Sequence, residues 1–543
     1  MEATVSHSYT PGGDDRDAQS RARASEQISP GLMAEPLESR TNMRRWIGLV
    51  AGVLAAFAVY YSMPQDLDSA ARLTAAIAVL MGIWWMTEAL PIPATALVPL
   101  VVFPVLGSVD IKEIGSSYGN DIIFLFMGGF ILALAMQRWN LHRRIALMTV
   151  SAMGTKSNMV IAGFMLATAF LSMWVSNTAT TVMMLPIGVS VLLLVTNLAG
   201  PAGEKSKATS DDDGATEQEE KSTDSKIKDA VIKSNFGTAL MLGIAYAASV
   251  GSLSTIIGTP PNTLLVGYMS DTHGVEIGFG RWMLVGLPLA AVMLVLVWFL
   301  LTRVLFKPEI DEIPGGREPI RRQLHELGPM STGEKLVLAM FILAALSWVF
   351  LPMISPDLIS DAGIAMTVSI LLFLLPAGAK RGVRLLNWEW AVKLPWGVLL
   401  LFGGGLALSA QFSSSGLADW IGEQAQVLGT VPLVVLVVVM AAGVIFLTEL
   451  TSNTATAATF LPVAGGVAMG LGVDPMLLAV PVALAATCAF MLPVATPPNA
   501  IAYGSGYVTI GQMIKGGIWL NLAGILLITF VTMTLLTAVF QLG

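Results

Sequence analysis

Phe170-Leu171-Ser172-Met173-Trp174-Val175-Ser176-Asn177-Thr178-Ala179-Thr180, followed by Leu185-Pro186, returns as Phe446-Leu447-Thr448-Glu449-Leu450-Thr451-Ser452-Asn453-Thr454-Ala455-Thr456, followed by Leu461-Pro462. Ser176 and Ser452 are 276 residues apart, and at the same offset Leu125-Phe126 and Gly128-Gly129 fall on Leu401-Phe402 and Gly404-Gly405. Each copy is followed by a second shared string, Gly258-Thr259-Pro260-Pro261-Asn262 and Ala495-Thr496-Pro497-Pro498-Asn499. Polar, helix-breaking residues inside apolar surroundings, present once in each half, are the sequence mark of a secondary transporter with its site between internal repeats.

The surroundings are those of a membrane protein. The chain is 55% hydrophobic and 12% charged, against about a quarter charged in a soluble domain. Apolar stretches such as 46–61, 70–85, 282–305 and 520–540 suffice, at about 1.5 Å per helical residue, to cross a hydrocarbon core of about 30 Å. Alternating strand-like segments are absent, which predicts an all-α polytopic fold. The single cysteine, Cys488, excludes an intramolecular disulfide and a Cys-based metal site. Residues 1–43, rich in Ser, Asp, Glu, Arg, Gly and Pro, read as a disordered cytoplasmic tail without a secretory signal. The stretch 200–234, with Asp211-Asp212-Asp213 and Glu219-Glu220 among lysines, reads as an acidic cytoplasmic loop. It accounts for a shifted offset, because the Thr-Pro-Pro-Asn strings are 237 residues apart and the first half therefore holds 39 extra.

Spans are expected at about 45–62, 69–87, 93–107, 118–137, 237–270, 282–306, 335–353, 361–378, 394–412, 475–505 and 513–540. The stretches 158–196 and 431–470 hold the Ser-Asn-Thr strings. If these two enter and leave by the same face, the basic loops around Arg138 to Lys156, Lys205 to Lys233, Lys307 to Arg322 and Lys380 to Arg384 all share one side. That asymmetry, with Arg44-Arg45 before the first span, puts the N-terminus in the cytoplasm of a cell (inner) membrane. The expectation is eleven crossings and two re-entrant hairpins in an inverted repeat. The domain reading is scaffold helices over 44–110, a first repeat over 111–306, a cytoplasmic linker over 307–334, and a second repeat over 335–543 whose scaffold helices are 335–378.

Ser, Asn, Thr and backbone carbonyl oxygens are hard neutral ligands suited to an alkali cation that must leave in each cycle. Helix N-termini starting at the hairpin tips direct free N–H groups toward the same space, which suits a carboxylate or another oxyanion. The Pro pairs predict breaks at Pro260 and Pro497. Carbonyls freed at Gly258 and Ala495 then finish a cation site, and the Thr259 and Thr496 hydroxyls face the ligand. A lone Ser, Thr or Asn in a membrane helix is more often packing glue, but four strings duplicated in order are not explained by packing.

Other residues carry less. Glu449 is ionisable at membrane depth, yet its repeat position holds Met173. It is either a structural hydrogen-bonding acid or a proton- or cation-linked one. Glu88, near a span end, reads as structural or interfacial. His142, His273 and His325 read as loop residues without metal-ligand spacing. The run Gly403-Gly404-Gly405 lacks the Lys-Ser/Thr of a phosphate loop and reads as a site of close helix packing.

The paired Ser-Asn-Thr and Thr-Pro-Pro motifs resemble those of the divalent anion:sodium symporter (DASS) family of di- and tricarboxylate transporters, over about residues 45–543. The resemblance implies a homodimer in which a transport part moves against a scaffold as an elevator, carrying substrate and sodium as the coupling ion. It implies a first sodium site at Ser172, Ser176, Asn177 and the Gly258 carbonyl, and a second at Thr448, the Thr451 carbonyl, Asn453 and the Ala495 carbonyl. Substrate carboxylates would meet Ser176, Asn177 and Thr178 from one tip and Ser452, Asn453 and Thr454 from the other, with Thr259, Thr496 and Pro497 adjacent. Exchangers that work without a cation resemble the same family but carry basic side chains at the sodium positions. Here those positions keep Ser, Thr, Asn and small residues, which favours sodium symport of C4-dicarboxylates such as succinate, malate or fumarate.

A cation-independent dicarboxylate exchanger and a sodium-coupled citrate or sulfate carrier stay open on the sequence. An intramembrane enzyme would need a nucleophile with a base or a metal cluster at membrane depth, and neither is evident. The expected partners are the dicarboxylate anion, sodium ions, the lipid bilayer and a second copy of the chain, with no nucleic acid. The acidic loop reads as a solvated linker, so deletion of residues 203–230 is expected to leave the rate of reconstituted transport unchanged. Altered uptake by the deletion variant would make the loop regulatory.

Overall fold

The computed structural model describes residues 39–199, 234–312, 318–355 and 358–542. The expected tail up to residue 38 and the acidic loop at 200–233 lie outside the described residues. Within them the regular structure is helical, and seven helices are long and apolar enough to cross a membrane unaided. Broken helices and hairpin arms carry most of the remaining apolar chain, and all of them but the arm Asn177–Ala199 are shorter than a hydrocarbon core of about 30 Å.

Capping residues punctuate the chain where the sequence supplies them. Asp68 accepts from the Ala70 N–H at 2.9 Å, Asp110 from Lys112 at 2.8 Å and Asn120 from Ile122 at 2.9 Å. Each opens a helix by satisfying one of its orphan donors. Ser331 with Glu334 and Thr509 with Gln512 form capping boxes, so the helices Thr332–Ile354 and Ile510–Val531 start where these pairs stand. The first helix runs Ser39–Ser62, which moves the expected end of the tail back to residue 38. The expected span at 93–107 is instead two short pieces, Ile92–Thr95 and Val98–Leu106. Pro91, Pro93 and Pro99 crowd their starts and remove backbone donors.

The two Ser-Asn-Thr stretches are each a pair of helices parted by four residues, as the hairpin reading expects. The first has arms Ser157–Ser172 and Asn177–Ala199, and the second Leu433–Thr448 and Asn453–Gly470. The two Thr-Pro-Pro-Asn stretches are broken helices: Asn235–Ser252 with Pro260–His273, and Met476–Thr487 with Pro497–Gly504. Pro260 and Pro497 each open the second half, as their fixed φ favours.

The broken helices form the centre of the molecule. Residues Phe236 to Ser252 and Met476 to Thr487 are buried without exception, which explains why both are apolar all round and rich in Ala. Small residues allow the close approaches: a Cβ on Gly251 would sit 2.3 Å from the Ala169 carbonyl oxygen. Gly404 does the same against Ala96, and Gly403 lies against the Tyr118 ring, so the glycine run does serve close packing. Helix Ser39–Ser62 lies at the periphery, with Trp46, Leu54, Phe57 and Tyr61 exposed.

Two helices were missed because they are charged. Leu141–Ala152 occupies the stretch expected as a basic loop, and its repeat equivalent is Leu417–Ala425. Both precede a hairpin, and the second meets its hairpin arm at 119°. A third, Glu318–Glu326, lies in the expected linker. His142, His273 and His325 accordingly lie on helices rather than in loops.

Arg144 reaches from the first of these helices to Glu334, with Nε 2.8 Å from Oε1, and the pair is nearly buried. Its other donors go to the Gly328 and Leu327 carbonyls. Removing one partner of a buried pair strands the other charge, so Glu334→Ala is expected to cost about 3–5 kcal/mol of stability. Glu326→Ala, which breaks the exposed i,i+4 pair with Arg322, is expected to cost about 0.5 kcal/mol or less. Thermal unfolding of the two variants in detergent gives the comparison.

Candidate functional site

Both hairpins turn at a single short tip. Residues 173–176 and 449–452 are non-helical, and Asn177 and Asn453 open the second arms. Ser176 caps its arm, accepting from the Ala179 N–H at 3.3 Å, whereas Ser452 makes no side-chain cap bond. The backbone at 253–259 and 488–496 is likewise unwound. A break at membrane depth exposes carbonyls and N–H groups that must find partners.

The asparagine of each Thr-Pro-Pro-Asn string supplies them. Asn262 Nδ2 donates to the Thr255 carbonyl at 2.9 Å and the Leu253 carbonyl at 3.3 Å. Asn499 Nδ2 donates to the Leu492 carbonyl at 3.1 Å and the Ala489 carbonyl at 3.3 Å. Thr255 and Leu492 are 237 residues apart, so the strut is the same in both repeats. The role of these two asparagines was missed, although the strings that contain them stand out in the sequence. Gly258 is required at its break, because a Cβ there would lie 2.3 Å from the Ser252 carbonyl oxygen.

The two tips and two breaks close on one cavity of about 910 Å³, within the range of small-ligand sites. Every residue expected to meet the substrate lines it: Ser176, Asn177, Thr178 and Thr259 from the first repeat, and Ser452, Asn453, Thr454, Thr496 and Pro497 from the second. Of the expected cation ligands, Gly258, Thr451 and Ala495 line it as well, beside Ser176, Asn177 and Asn453. Ser172 and Thr448 do not. They are fully buried behind the tips, and each ties a hairpin to a broken helix. Ser172 Oγ donates to the Ala248 carbonyl at 2.6 Å, and Thr448 Oγ1 lies 3.2 Å from the Ala486 carbonyl and 2.9 Å from Asn453 Oδ1. Thr448 and Asn453, expected on one cation, are thus in contact. The Thr259 and Thr487 hydroxyls meet at 3.3 Å across the repeats.

Four helix N-termini, at Asn177, Pro260, Asn453 and Pro497, therefore meet around a space lined at its centre by hydroxyls, amides and carbonyls. Their partial positive charges favour an anion, while the carbonyls of the tips and breaks favour a small cation. Trp85, Phe126 and Phe130 add an apolar wall. Arg44 and Glu88 also line the cavity, although nothing in the repeat pattern singled them out for the site.

Glu449 lies behind the second tip, nearly buried. Its carboxylate accepts from the N–H groups of Phe490 at 2.7 Å, Met491 at 2.9 Å and Leu492 at 2.9 Å, and from Asn521 Nδ2 at 2.7 Å. Four donors occupy the acceptor sites of the carboxylate, which supports the structural reading of this acid. At the first tip the Met173 carbonyl takes the corresponding place, accepting from the Thr255 hydroxyl at 2.5 Å. Hydrogen bonds to a charged group contribute about 1.5–3 kcal/mol each. Glu449→Gln is expected to lower thermal stability and to weaken stabilisation by sodium, because it loosens the break that presents Ala495. A sodium titration followed by thermal shift measures both.

A family model described as the sodium:sulfate symporter transmembrane region matches residues 43–542. The chain is 43% identical over 497 residues to a sodium-dependent dicarboxylate transporter, SdcS, of Staphylococcus saprophyticus, covering 90% of this chain and 91% of that one. It is 42% identical over 492 residues to SdcS of Staphylococcus aureus, covering 89% and 90%. Among solved structures it is similar to the Alcanivorax borkumensis YdaH transporter, with a TM-score of 0.51, 14% identity and coverage of 84% of this chain and 97% of that one. It is similar also to Neisseria gonorrhoeae MtrF, with a TM-score of 0.52, 14% identity and coverage of 96% and 98%. At that identity the two structures speak for the fold alone.

Proposed function

The chain belongs to the divalent anion:sodium symporter family, and from that premise we propose that it imports C4-dicarboxylates such as succinate, malate and fumarate together with sodium. The carrying observation is the convergence of two hairpin tips and two helix breaks, all bearing neutral oxygen and amide ligands, on one cavity. The names of the SdcS relatives support the same substrate class and ion.

The energetics explain why a cation would be needed. Each carboxylate that leaves water loses several kcal/mol of hydration. A helix N-terminus returns about 0.3–1 kcal/mol, and up to about 2 kcal/mol when partly buried. Four such ends, two of them opened by Pro-Pro pairs without N–H groups, do not offset a dianion. A cation about 4 Å from a carboxylate adds about 4 kcal/mol at an effective dielectric constant near 20. Sodium held by Ser172, Ser176, Asn177 and the Gly258 carbonyl, and by Thr448, the Thr451 carbonyl, Asn453 and the Ala495 carbonyl, would make the anion site favourable. Carboxylates then bind the tips through Asn177, Thr178, Asn453 and Thr454, beside Thr259, Thr496 and Pro497. Ions and substrate are each held weakly alone and well together, which is coupling.

In this reading the hairpins and broken helices move as one body against the scaffold in each protomer of a homodimer, in an inner membrane with the N-terminus in the cytoplasm. Peripheral exposure of Trp46, Leu54, Phe57 and Tyr61 on the first helix fits a lipid-facing or partner-facing surface. Uptake of labelled succinate into proteoliposomes tests the function. Accumulation is expected with an inward sodium gradient, not with choline, and is expected to fall at least tenfold in Asn177→Ala and Asn453→Ala, the loss of about 1.4 kcal/mol or more of binding. Equal uptake in choline that rises only after preloading with dicarboxylate would identify an exchanger. Uptake of citrate or sulfate in place of succinate would change the substrate and leave the sites standing.

A further inference from the structure

The described wall of the cavity holds two ionisable side chains, Arg44 and Glu88, and neither belongs to a repeat string. Arg44 Nη2 lies 3.1 Å from Glu88 Oε2, and the side chains are 54% and 48% exposed. Arg44 stands near the start of helix Ser39–Ser62, and Glu88 terminates helix Ser69–Thr87. Trp84 fixes the two helices together, its Nε1 donating to the Leu49 carbonyl at 3.3 Å. Both charges therefore sit on helices that carry none of the neutral ligands.

As a fold-holding device this pair is poorly made. A half-exposed pair with one N–O contact is the weakest kind of ion pair. Glu88 has φ of 52°, the left-handed region, where a residue with a Cβ is strained and Gly or Asn is the usual helix terminator. Its carboxylate also sits at a helix C-terminus, the negative end of the dipole. A strained backbone and an ill-placed charge on the wall of a ligand cavity point to a function for both.

We propose that Arg44 binds a substrate carboxylate transiently at the exposed rim of the cavity, on the cytoplasmic side from which imported substrate leaves, and that Glu88 is the internal carboxylate that occupies it when no substrate is there. The inference rests on the dicarboxylate reading above. Departing substrate exchanges one carboxylate for another on the same guanidinium, so it passes the rim without being trapped. An unopposed arginine on this wall would attract the dianion and then hold it, slowing the step in which the anion leaves. Glu88 cancels that field at rest and takes Arg44 back as the substrate moves on. The pair thus sets affinity and release at the rim while the tips set the coupling to sodium.

The test is KM and maximal rate of dicarboxylate uptake in proteoliposomes at fixed saturating sodium, for wild type, Arg44→Gln, Glu88→Gln and the double variant, at low and high choline chloride. Glu88→Gln is expected to lower KM severalfold together with the maximal rate. Arg44→Gln is expected to raise KM severalfold, the double variant to return toward wild type, and added salt to shrink both shifts. Arg44→Lys, which keeps the charge, is expected to stay near wild type. KM shifts of the same sign in the two single variants, or shifts indifferent to salt, mark a structural pair and overturn the proposal. If Arg44→Gln does not assemble, Glu88→Gln decides by its KM; if neither neutral variant assembles, the pair is structural and the proposal is lost. Wild-type protein without sodium-dependent uptake would overturn the dicarboxylate reading and this one with it, whereas wild-type uptake with unshifted variants overturns this one alone.

Discussion

Unwound backbone deep in a membrane protein must find its hydrogen-bond partners within the protein, and the centre of this molecule is organised by that demand. Residues 253–259 and 488–496 leave the helix in the middle of two fully buried elements. Asn262 and Asn499 return across each break to bond its carbonyls. The carbonyls left over at the cavity wall are then available to a ligand without being a liability. Pro260 and Pro497 make the breaks obligatory, the asparagines make them tolerable, and the hairpin tips meet them because Ser172 and Thr448 bond the same elements.

The two repeats reach one backbone geometry with different anchors. At the first tip Trp174 lies in an aromatic cluster with Phe279, Phe341 and Trp348, its ring centroids 6.0, 4.9 and 6.4 Å from theirs. At the second tip the equivalent residue, Leu450, is exposed and lines the cavity. Glu449 holds that tip instead, through three backbone N–H groups of the second break. Apolar packing fixes the first hairpin and a charged polar clamp fixes the second. Divergence at positions 174 and 449 therefore leaves the Ser-Asn-Thr positions superposable in sequence, and both sets line the cavity.

Legibility followed from how local each physical cause is. Pro-Pro pairs, Ser-Asn-Thr tips and the 276-residue offset act through neighbouring backbone, so the breaks and the tips could be read directly. Helices Leu141–Ala152 and Leu417–Ala425 could not, because a search for apolar runs passes over His142-Arg143-Arg144 and Asp419. In the first of them the nearly buried Arg144 depends on Glu334, 190 positions away. Arg44 looked like a topology signal and Glu88 like an interfacial residue. Their shared position on the cavity wall is a product of helix packing that neither residue's neighbours encode.

By itself the sequence determined that the chain is a helical membrane protein with two equivalent halves, that each half carries one hairpin tip and one proline break, and that the ligands offered there are neutral oxygens and amides. These follow from hydropathy, backbone sterics and side-chain chemistry, all of which act within a few residues. Only the tertiary structure decided that the four strings face a single cavity, that Ser172 and Thr448 stand behind it rather than on its surface, that Glu449 is spent on backbone N–H groups, and that Arg44 meets Glu88 at the rim. Each of those depends on which elements pack together, and packing is settled by burial and hydrogen-bond demands summed over the whole chain.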